Sequence, residues 1–470
     1  MTIIEKKINL TLCENPVAYA YEEAPEFTAE DYKQRIEKAL GMPQASEYNF
    51  LVIYGDREHF SNIHYFTGYD PRWEEALLIL SRGNKPVLLV GNEGLGYTAG
   101  LVCEVQIEMY QTFSLMGQPN DERSRKLTDL LKGCGIKSSS KVGLIGWKEY
   151  RKDLFELQTL ITDVPHYIVE TLAQIAGMEN ITNATNILTD CEYGLKHTIS
   201  AKEIIQFDLS GSKVSRGIYQ CIKNLRPGML EIEAAEQIGF DGQPGNMYPN
   251  INFGDAHVAA GLNSPKYDVK LEYGMPIGIG YGLRGCLVHK CGMYIRSAED
   301  LPKDKKDYIE KLLKPYFACV VKWYEMMKIG TECGEIYQMV EESLGMEKFG
   351  ISLNPGHLTH TDEWTNSPIQ KGSRVKIHSG MAFQCDYTVG FQKPFMSAHI
   401  EDGLVIADAK LQKEIKELSP SCYKRIMERR KFITEVLNIE LPKEVLPLSD
   451  LSCICFPYMA DPSIVLGKEK

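Results

Sequence analysis

The second half of the chain carries histidines whose spacing allows catalytic chemistry. His357 and His360 lie three residues apart, and His257 follows Phe253-Gly254-Asp255. Histidine has an ordinary pKa of about 6.5, which suits proton transfer at neutral pH and binding of first-row metal ions. A pair at this spacing is also common by chance, and a histidine at the end of a strand is often structural. The three histidines are therefore candidate catalytic or metal-binding residues, and the residues around each one decide between that role and a structural one.

Two carboxylates stand in otherwise apolar segments. Asp386 and Glu401 both lie in predicted strands, where a charge is rarely kept without a partner. His399 alternates with Glu401, so the two side chains share one strand face. His289 lies beside Lys290 in a predicted hairpin, where a solvated position explains it equally well. Hydrolytic chemistry or metal binding is expected where such groups meet.

The first part of the chain supplies an α/β pattern. A helix is predicted over Phe27–Leu40, with Thr28 as its N-cap and Asp31 completing a capping box. A second helix is predicted over Asp121–Lys132, after an irregular arm covering residues 1–25. Strands are predicted over 50–54, 76–80, 86–90 and 142–145, with a hairpin turn at Gly83-Asn84. Alternating strands and helices predict a mainly parallel or mixed sheet.

The second part predicts helices packed on antiparallel hairpins, an α+β domain. Ser200 and Glu203 form a second capping box, which starts a helix running to Asn224. Further helices are predicted over 231–238, 303–328, 333–344 and 410–437. Strands are predicted over 251–258, 275–281, 286–295, 374–390 and 400–407. The tail, 438–470, has prolines at Pro442, Pro447 and Pro457, among others, and is predicted to be an extended, wrapping segment.

Composition excludes several classes of function. The chain has 470 residues and a formal net charge of -11, so it has no long-range attraction for nucleic acid or anionic lipid. No stretch approaches the ~18 apolar residues that a bilayer span needs, and the first twelve residues lack the apolar core of a signal peptide. The thirteen cysteines are scattered and are interpreted as free thiols, with Cys453 and Cys455 on one side of a strand. A cytoplasmic protein is expected.

Short motifs in a constant order resemble the creatinase, aminopeptidase P and prolidase family. They resemble its N-domain loop, domain junction, helix start, metal-histidine motif and two strands, in that order. The matching segments are Asn62–Tyr69, Lys196–Glu203, Leu225–Glu231, Gly356-His357, Ser379–Phe383 and Ile400–Asp402. Each motif is weak alone, but their order covers most of the chain. The resemblance implies an N-terminal α/β domain, a C-terminal pita-bread domain and often a homodimer.

The resemblance also implies where a two-metal peptidase site would fall. The family's first aspartate matches Gly280, which has no side chain to bind a metal. The second matches Cys291, or His289 if the hairpin turn is tighter, and we prefer the tighter turn. The histidine and two glutamates of the family match His357, Asp386 and Glu401. The standard dinuclear centre is therefore predicted to be incomplete.

Three functions are compatible with this incomplete site. The first is a metal-independent hydrolase of C–N bonds, in which His357, His360, His257, Asp386 and Glu401 converge on one cleft. The second is a site for one divalent cation, zinc or manganese, held by four groups: His289, His357, Asp386 and Glu401. The third is a catalytically inactive protein that serves as a binding or scaffold protein. The number of metal ions, none or one, stays open at this point.

The resemblance places further substrate contacts. Trp364 falls near the family's accessory histidine, and His399 falls where the peptidases usually have an arginine. Arg72 and Trp73 follow the loop that, in creatinase-like dimers, reaches the partner's active site. A surface arginine and a partly buried tryptophan explain these two equally well. Cys291 is interpreted as a packed thiol, because no activating neighbour is evident.

These observations predict a two-domain hydrolase of C–N bonds. The predicted limits are 1–170 for the N-terminal domain, 171–200 for a linker helix region, 201–437 for the pita-bread domain and 438–470 for a C-terminal extension. The expected substrate is a small molecule or a short peptide. The expected assembly is a homodimer, without nucleic acid or membrane partners.

Overall fold

The computed structural model describes residues 7–13, 22–118, 124–151, 153, 155–156 and 160–469. The chain divides into two compact units, one formed by residues 26–196 and the other by residues 1–25 and 197–470. The first strand, β1 (Ile8–Leu12), pairs with the last, β17 (Ile464–Lys468), in an antiparallel ribbon. This pairing explains why the N-terminal segment, predicted to be irregular, belongs to the larger unit.

The smaller unit is built on a six-stranded mixed sheet with the strand order β5-β4-β3-β2-β6-β7. Its strands are β2 (Phe50–Gly55), β3 (Ala76–Ser81), β4 (Val87–Val90), β5 (Gln106–Met109), β6 (Val142–Ile145) and β7 (Ile181–Asn183). The antiparallel pair β3 and β4 is joined by the predicted turn, in which Asn84 N–H donates to the Ser81 carbonyl. Apolar clusters pack on both faces of this sheet, as the continuous apolar runs of its strands require.

The described part of the smaller unit also has six α-helices: α1 (Ala29–Gly41), α2 (Ser61–Thr67), α3 (Gly94–Tyr97), α4 (Leu127–Gly133), α5 (His166–Ala176) and α6 (Asn186–Thr189). The capping box predicted at Thr28 and Asp31 is present at the start of α1. Of the predicted helix over 121–132, residues 121–123 lie outside the described residues, and α4 begins at Leu127. The unit extends to Lys196, beyond the predicted limit at 170, because β7 pairs with β6 and α5 packs in the core.

Among its described residues, the larger unit contains seven α-helices. They are α7 (Ala201–Asn224), α8 (Glu231–Glu236), α9 (Gly254–Ala260), α10 (Lys314–Met326), α11 (Cys333–Leu344), α12 (Ala409–Leu418) and α13 (Pro420–Glu435). The capping box of Ser200 and Glu203 starts α7 as predicted. The single helices predicted over 303–328 and 410–437 are wrong. A 3-10 turn and a π-helix at Tyr308–Leu313 precede α10, and Pro420, which lacks an N–H, separates α12 from α13.

Two antiparallel sheets face these helices, with the orders β13-β14-β10-β9-β8 and β11-β12-β15-β16. Their strands are β8 (Met247–Phe253), β9 (Pro276–Leu283), β10 (Cys286–Met293), β11 (His357–Leu358), β12 (Ala382–Gln384), β13 (Val389–Gln392), β14 (Phe395–Glu401), β15 (Gly403–Ile406) and β16 (Val445–Pro447). The strand predicted over 251–258 ends at Phe253, because Gly254 has a φ of 82° and starts α9. Neither Cys453 nor Cys455 lies on a strand: Cys453 is in a turn with a φ of 63°, and Cys455 is in an irregular segment.

No helix among the described residues is long and apolar enough to cross a membrane.

Candidate functional site

One face of the five-stranded sheet gathers the predicted site residues. The register places His289 of β10 opposite Gly280 of β9 and Glu401 of β14. It also places Cys291 opposite Gly278 and His399. Directly opposed residues share a face, and so do residues two apart. Both candidates of the predicted hairpin register, His289 and Cys291, therefore point to the same side as Glu401.

This face forms the floor of a cavity of about 330 Å³ within the larger unit. Its polar lining is rich in titratable groups, and its apolar lining comes mainly from β8, α9 and their neighbours. The titratable lining residues are His289, Cys291, Glu363, Asp386, His399 and Glu401. The apolar lining residues include Met247, Val258, Leu262, Leu287 and Leu353. The cavity thus offers an apolar wall and a chemically active base, as ligand sites commonly do.

His357 is fully buried beside this cavity. Its ring stacks on Trp364, with the ring centroids 4.0 Å apart and the planes 15° from parallel. Its Nε2 lies 3.0 Å from Oε1 of Glu363 and 3.5 Å from Oδ2 of Asp386. Neither contact has the alignment of a hydrogen bond, although both Nε2 and Oε1 are buried. His357 Nε2 and Glu363 Oε1 therefore lie close together without forming an aligned hydrogen bond.

Asp386 connects two histidines. Its Oδ1 accepts from His399 Nε2 at 3.0 Å, and its Oδ2 faces His357. Burial alone would raise the pKa of Asp386, but His357 and His399 hold it below its usual range. Burial likewise opposes charge on His357, yet Glu363 and Asp386 raise the pKa of His357 to about 10. In the absence of a cation the site therefore holds an ionised Asp386 against a protonated His357.

Glu401 differs from Asp386 in its protonation. Burial raises the pKa of Glu401 well above its ordinary value, and the neighbouring carboxylates of Asp386 and Glu363 raise it further. Glu401 is therefore a neutral acid in the cation-free protein.

Glu363 was not predicted from the sequence. It lies in the loop after β11, where no periodicity marks it, and its only sequence signal is its place beside Trp364. The structure adds it to the site through its contact with His357 and its position in the cavity lining.

His289 fills the volume left by two glycines of β9. A Cβ at Gly280 would lie 2.6 Å from Cδ2 of His289, and a Cβ at Gly278 would lie 3.5 Å from its Nε2. Its Nδ1 is 2.8 Å from Nδ1 of His399. Burial, together with His399, lowers the pKa of His289 to about 3. A neutral imidazole thus occupies the place to which the first family aspartate was assigned.

Cys291 lies on the cavity face and is not one of the three grouped candidate metal ligands. Burial raises the pKa of its thiol to about 12, so a nucleophilic thiolate is not formed at neutral pH. This agrees with its interpretation as a packed thiol.

Two predicted catalytic histidines lie elsewhere. His360 Nε2 is 3.1 Å from Oε1 of Glu203, in the first turn of α7. His257 Nδ1 is 3.0 Å from Oε1 of Glu231, at the start of α8. Neither lines the cavity, although Val258 and Ala259, which follow His257 on α9, do. The predicted convergence of these two histidines with His357 therefore receives no support from the geometry.

Arg72 and Trp73 belong to the smaller unit. Arg72 has a φ of 61° and lies 3.8 Å from the Asp70 carboxylate. Trp73 is 55% exposed and packs against Tyr97. Their predicted contact with a substrate stays a prediction.

The donor set fits one divalent cation better than two. One ligand atom each from His357, Asp386 and Glu401 lie within 4.8 Å of one another. A dinuclear centre needs further ligands, but Gly280 has no side chain. Cys291 and His289 both stand outside the three-residue set. Three protein ligands with a position left open is the arrangement typical of a catalytic zinc.

Comparison with solved structures identifies the fold. A prolidase from Pyrococcus horikoshii OT3 aligns with a TM-score of 0.60 and 15% identity, over 80% of this chain and 95% of the prolidase. A dipeptidase PepE from Mycobacterium ulcerans aligns with a TM-score of 0.60 and 16% identity, over 82% and 95%. A putative aminopeptidase P from Bacillus anthracis gives 0.55 and 13%, over 86% and 99%. No protein-family model matches the chain, and no curated protein matches it significantly.

The chain therefore has the two-domain pita-bread fold of the prolidases and aminopeptidases P, an α/β N-terminal domain followed by an α+β C-terminal domain. This confirms the predicted fold and the resemblance on which it was based. At identities of 13–16% the likeness extends to the fold, and the chemistry has to be argued from the site.

Proposed function

We propose that the chain is a hydrolase that cleaves C–N bonds of small molecules or short peptides in this cavity, with one divalent cation on His357, Asp386 and Glu401. The supporting observation is the unsatisfied state of the site. His357 Nε2 and Glu363 Oε1 are buried beside a cavity without an aligned partner. A buried polar atom without an aligned partner costs free energy, and a bound ligand would supply the partner.

A bound divalent cation would lower the pKa of a water molecule and polarise the bond to be cleaved. The chain's own residues position the reactants around it. Asp386, held by His399, keeps a fixed orientation and stays ionised. Glu363 lines the cavity outside the three-residue set and lies beside His357, so it is placed to hold a proton taken from the nucleophile. The apolar wall excludes bulk water and receives the apolar part of the substrate.

The test combines metal analysis with a hydrolysis assay. The purified protein is expected to hold one zinc or manganese ion per chain and to lose hydrolysis on chelation. Alanylproline and creatine serve as test substrates, since each contains a C–N bond of the kind that the proposed hydrolase would cleave. Glu401→Gln and His357→Asn are expected to lower kcat/KM by at least ~100-fold, as expected for losing a group that acts in the transition state.

Matched controls separate the site from the surface. Glu417→Gln and His166→Gln change exposed residues of the same types and should leave the activity unchanged. Two tightly bound ions per chain would contradict the single-cation site. Full activity of both site variants would contradict the site itself. Thermal stabilisation by a probe without any hydrolysis would favour a binding protein.

Dimerisation is a second part of the proposal. If Arg72 and Trp73 serve a partner's cavity, Trp73→Ala should raise KM only in the dimeric protein. Light scattering of the wild type, together with the kinetics of this variant, tests that dependence. A monomeric wild type with full activity would remove these two residues from the proposed site.

A further inference from the structure

Two asparagines of β8 lie on the cavity face of the five-stranded sheet. In the register of β8 and β9, Asn250 is opposite Gly280 and Asn252 is opposite Gly278. The same two glycines oppose the cavity-facing residues of β10. Both asparagines therefore share the face that forms the cavity floor. Their side chains are almost fully buried, Asn252 with 2% exposure, and the proposed chemistry does not use either of them.

Hydrogen bonds fix the orientation of both carboxamide groups. Nδ2 of Asn252 donates to the carbonyl oxygens of Ile251 at 2.9 Å and of Asn263 at 3.1 Å. Nδ2 of Asn250 donates to the same Asn263 carbonyl at 2.8 Å. A carbonyl oxygen can only accept, so each carboxamide must turn its NH₂ group to these carbonyls and its Oδ1 away from them. None of these groups titrates near neutral pH, so each Oδ1 is an acceptor throughout that range.

The two Oδ1 atoms differ in their surroundings. Asn250 Oδ1 is enclosed without a partner, and a Cβ at the opposing Gly280 would lie 2.6 Å from Met247 Cε, so protein fills this space. Asn252 instead lines the cavity, and no residue in the described part of the chain donates to its Oδ1. A Cβ at the opposing Gly278 would meet no atom closer than 3.5 Å. A few fixed polar groups of this kind orient the ligand in most cavities.

We propose that Asn252 is a ligand-contacting residue whose Oδ1 accepts a hydrogen bond from an N–H group of the molecule bound in the cavity. The proposal deepens the proposed function, on which it rests for the position of the ligand. Asn252 lies three strands from Glu401, about 14 Å along the sheet, so the contact is with a part of the ligand other than the cleaved bond. Among the described residues that line the cavity there is no lysine or arginine. A peptide, amine or guanidino compound that donates hydrogen bonds fits this lining.

The contact is tested by matched substitutions of the two asparagines. Asn252→Leu keeps the branched shape of the side chain and removes the acceptor. Asn250→Leu makes the same change at a residue that donates to the same Asn263 carbonyl but does not line the cavity. The probes are alanylproline, alanylprolylglycine and creatine, all of which carry N–H groups. Loss of one hydrogen bond should raise KM about tenfold in Asn252→Leu, and KM should stay near the wild-type value in Asn250→Leu.

The value of kcat should change little in Asn252→Leu, because a contact away from the cleaved bond is made in ground and transition states alike. Gly278→Ala is a second test that leaves the carboxamide hydrogen bonds intact. Its methyl group has room in the fold but stands on the cavity floor opposite Asn252, so KM should rise here as well. If Asn252→Leu does not fold, Gly278→Ala decides, and an unchanged KM in this variant would overturn the contact.

The outcomes separate this proposal from the proposed function. Hydrolysis of a probe with an unchanged KM in Asn252→Leu would overturn the contact and leave the hydrolase standing. Binding without hydrolysis would overturn the hydrolase, and Kd values from thermal shifts of the same variants would then test the contact. An equal rise in both leucine variants would assign the effect to the lost Asn263 hydrogen bond and overturn the proposal. Failure of all three probes to bind the wild type would contradict the ligand class and overturn it too.

Discussion

Two clusters of buried charged residues in the larger unit differ in how their charges are paired. The arginine cluster joins α7, α13 and the segment after β16 through Asp208, Arg425, Arg429 and Asp450. The cavity cluster consists of His357, Glu363, Asp386 and Glu401. Both are buried within one core, so burial alone does not distinguish them. Their hydrogen bonds do.

The arginine cluster is internally paired. Arg429 donates to Asp208, Asp450, Ser212 Oγ and the Pro447 carbonyl, and Arg425 donates to Asp208 through two nitrogens. Opposite charges face one another, and each guanidinium nitrogen donates to an oxygen. Asp450 Oδ2 is left without a hydrogen-bond partner, but it does not line the cavity. A cluster of this kind holds helices together.

The cavity cluster instead places three carboxyl groups around one histidine, with no arginine or lysine from the cavity lining. Its protonation states are displaced to reduce repulsion, which makes Glu401 neutral and His357 cationic. The comparison indicates that buried charges with hydrogen-bond partners stabilise the structure. Buried charges beside a cavity that lack such partners indicate a ligand site. Four experiments test this distinction, from the largest expected effect to the smallest.

Breaking the arginine cluster should have the largest effect on stability. Arg429→Met removes the cation from Asp208 and Asp450 and leaves both carboxylates buried without it. We expect a loss of about 3–5 kcal/mol in the free energy of unfolding, measured by urea denaturation. Arg151→Met, at a surface pair with 73% exposure, should change it by less than ~1 kcal/mol. Equal effects at both positions would contradict the structural role of the cluster.

The cavity cluster should make the cation-free protein sensitive to alkali. The folded pKa of His357 is raised to about 10, so its contribution to stability is complete below about pH 6.5 and is lost as the pH rises through 10. The raised pKa of Glu401 acts in the same direction. We expect a loss on the order of a few kcal/mol across this range, measured by urea denaturation with a chelator present.

If His357 causes this dependence of the unfolding free energy on pH, substitution of His357 should remove the dependence. In His357→Asn, unfolding free energies should fall less steeply over the same pH range. The guanidinium groups of the arginine cluster stay charged throughout, so Arg429→Met should keep the wild-type slope. Parallel curves for wild type and His357→Asn would show that the cavity cluster is not the source.

The sequence was sufficient for the parts of this comparison that depend on local pattern. The capping boxes at Thr28 and Ser200 follow from residues three apart, and both are present. The set of His357, Asp386 and Glu401 followed from motifs in a constant order, and these three lie together. The segment between Gly274 and Met293 also kept its hairpin, which fixed the position of His289 relative to Gly280.

The sequence failed where the outcome depends on tertiary contacts. The sequence around His257 and His360 does not predict which carboxylate each histidine contacts. In the structure each contacts a glutamate that does not line the cavity. Glu363 lies in a loop without periodicity, so only its contact with His357 marks it. The interruption between α12 and α13 had a signal at Pro420, whereas the π-helix before α10 had none.

The glycine positions of β9 should be the next most sensitive part of the cavity. A methyl group at Gly280 would lie 2.6 Å from both His289 Cδ2 and Met247 Cε. Gly280→Ala must therefore displace the imidazole, with an expected loss of about 1–3 kcal/mol by denaturation. Proton–nitrogen correlation spectra of protein labelled with ¹⁵N-histidine should show shifted resonances for His289. Gly41→Ala, where a methyl group would meet nothing within 4 Å, is the control and should be neutral.

The smallest effect on stability should come from the residue that matters most for the cation. Glu401 is neutral in the cation-free protein, so Gln replaces it with almost the same shape and charge. Its neighbour Asp402 lies on the opposite face of the chain and is paired with Lys290 and Ser449. Glu401→Gln should change the unfolding free energy by less than ~0.5 kcal/mol without cation, whereas Asp402→Asn should cost ~3 kcal/mol or more, because Lys290 loses its partner.

Addition of zinc or manganese should reverse the order of these two variants. A cation at 100 times its Kd stabilises the wild type by about 2.7 kcal/mol, and Asp402→Asn should keep this increment from its lower starting point. Glu401→Gln should lose most of it, because an amide is a much weaker ligand for these ions than a carboxylate. Differential scanning with and without cation measures both. If Glu401→Gln kept the full increment, the cation would bind elsewhere, and unsatisfied charge would not locate the site.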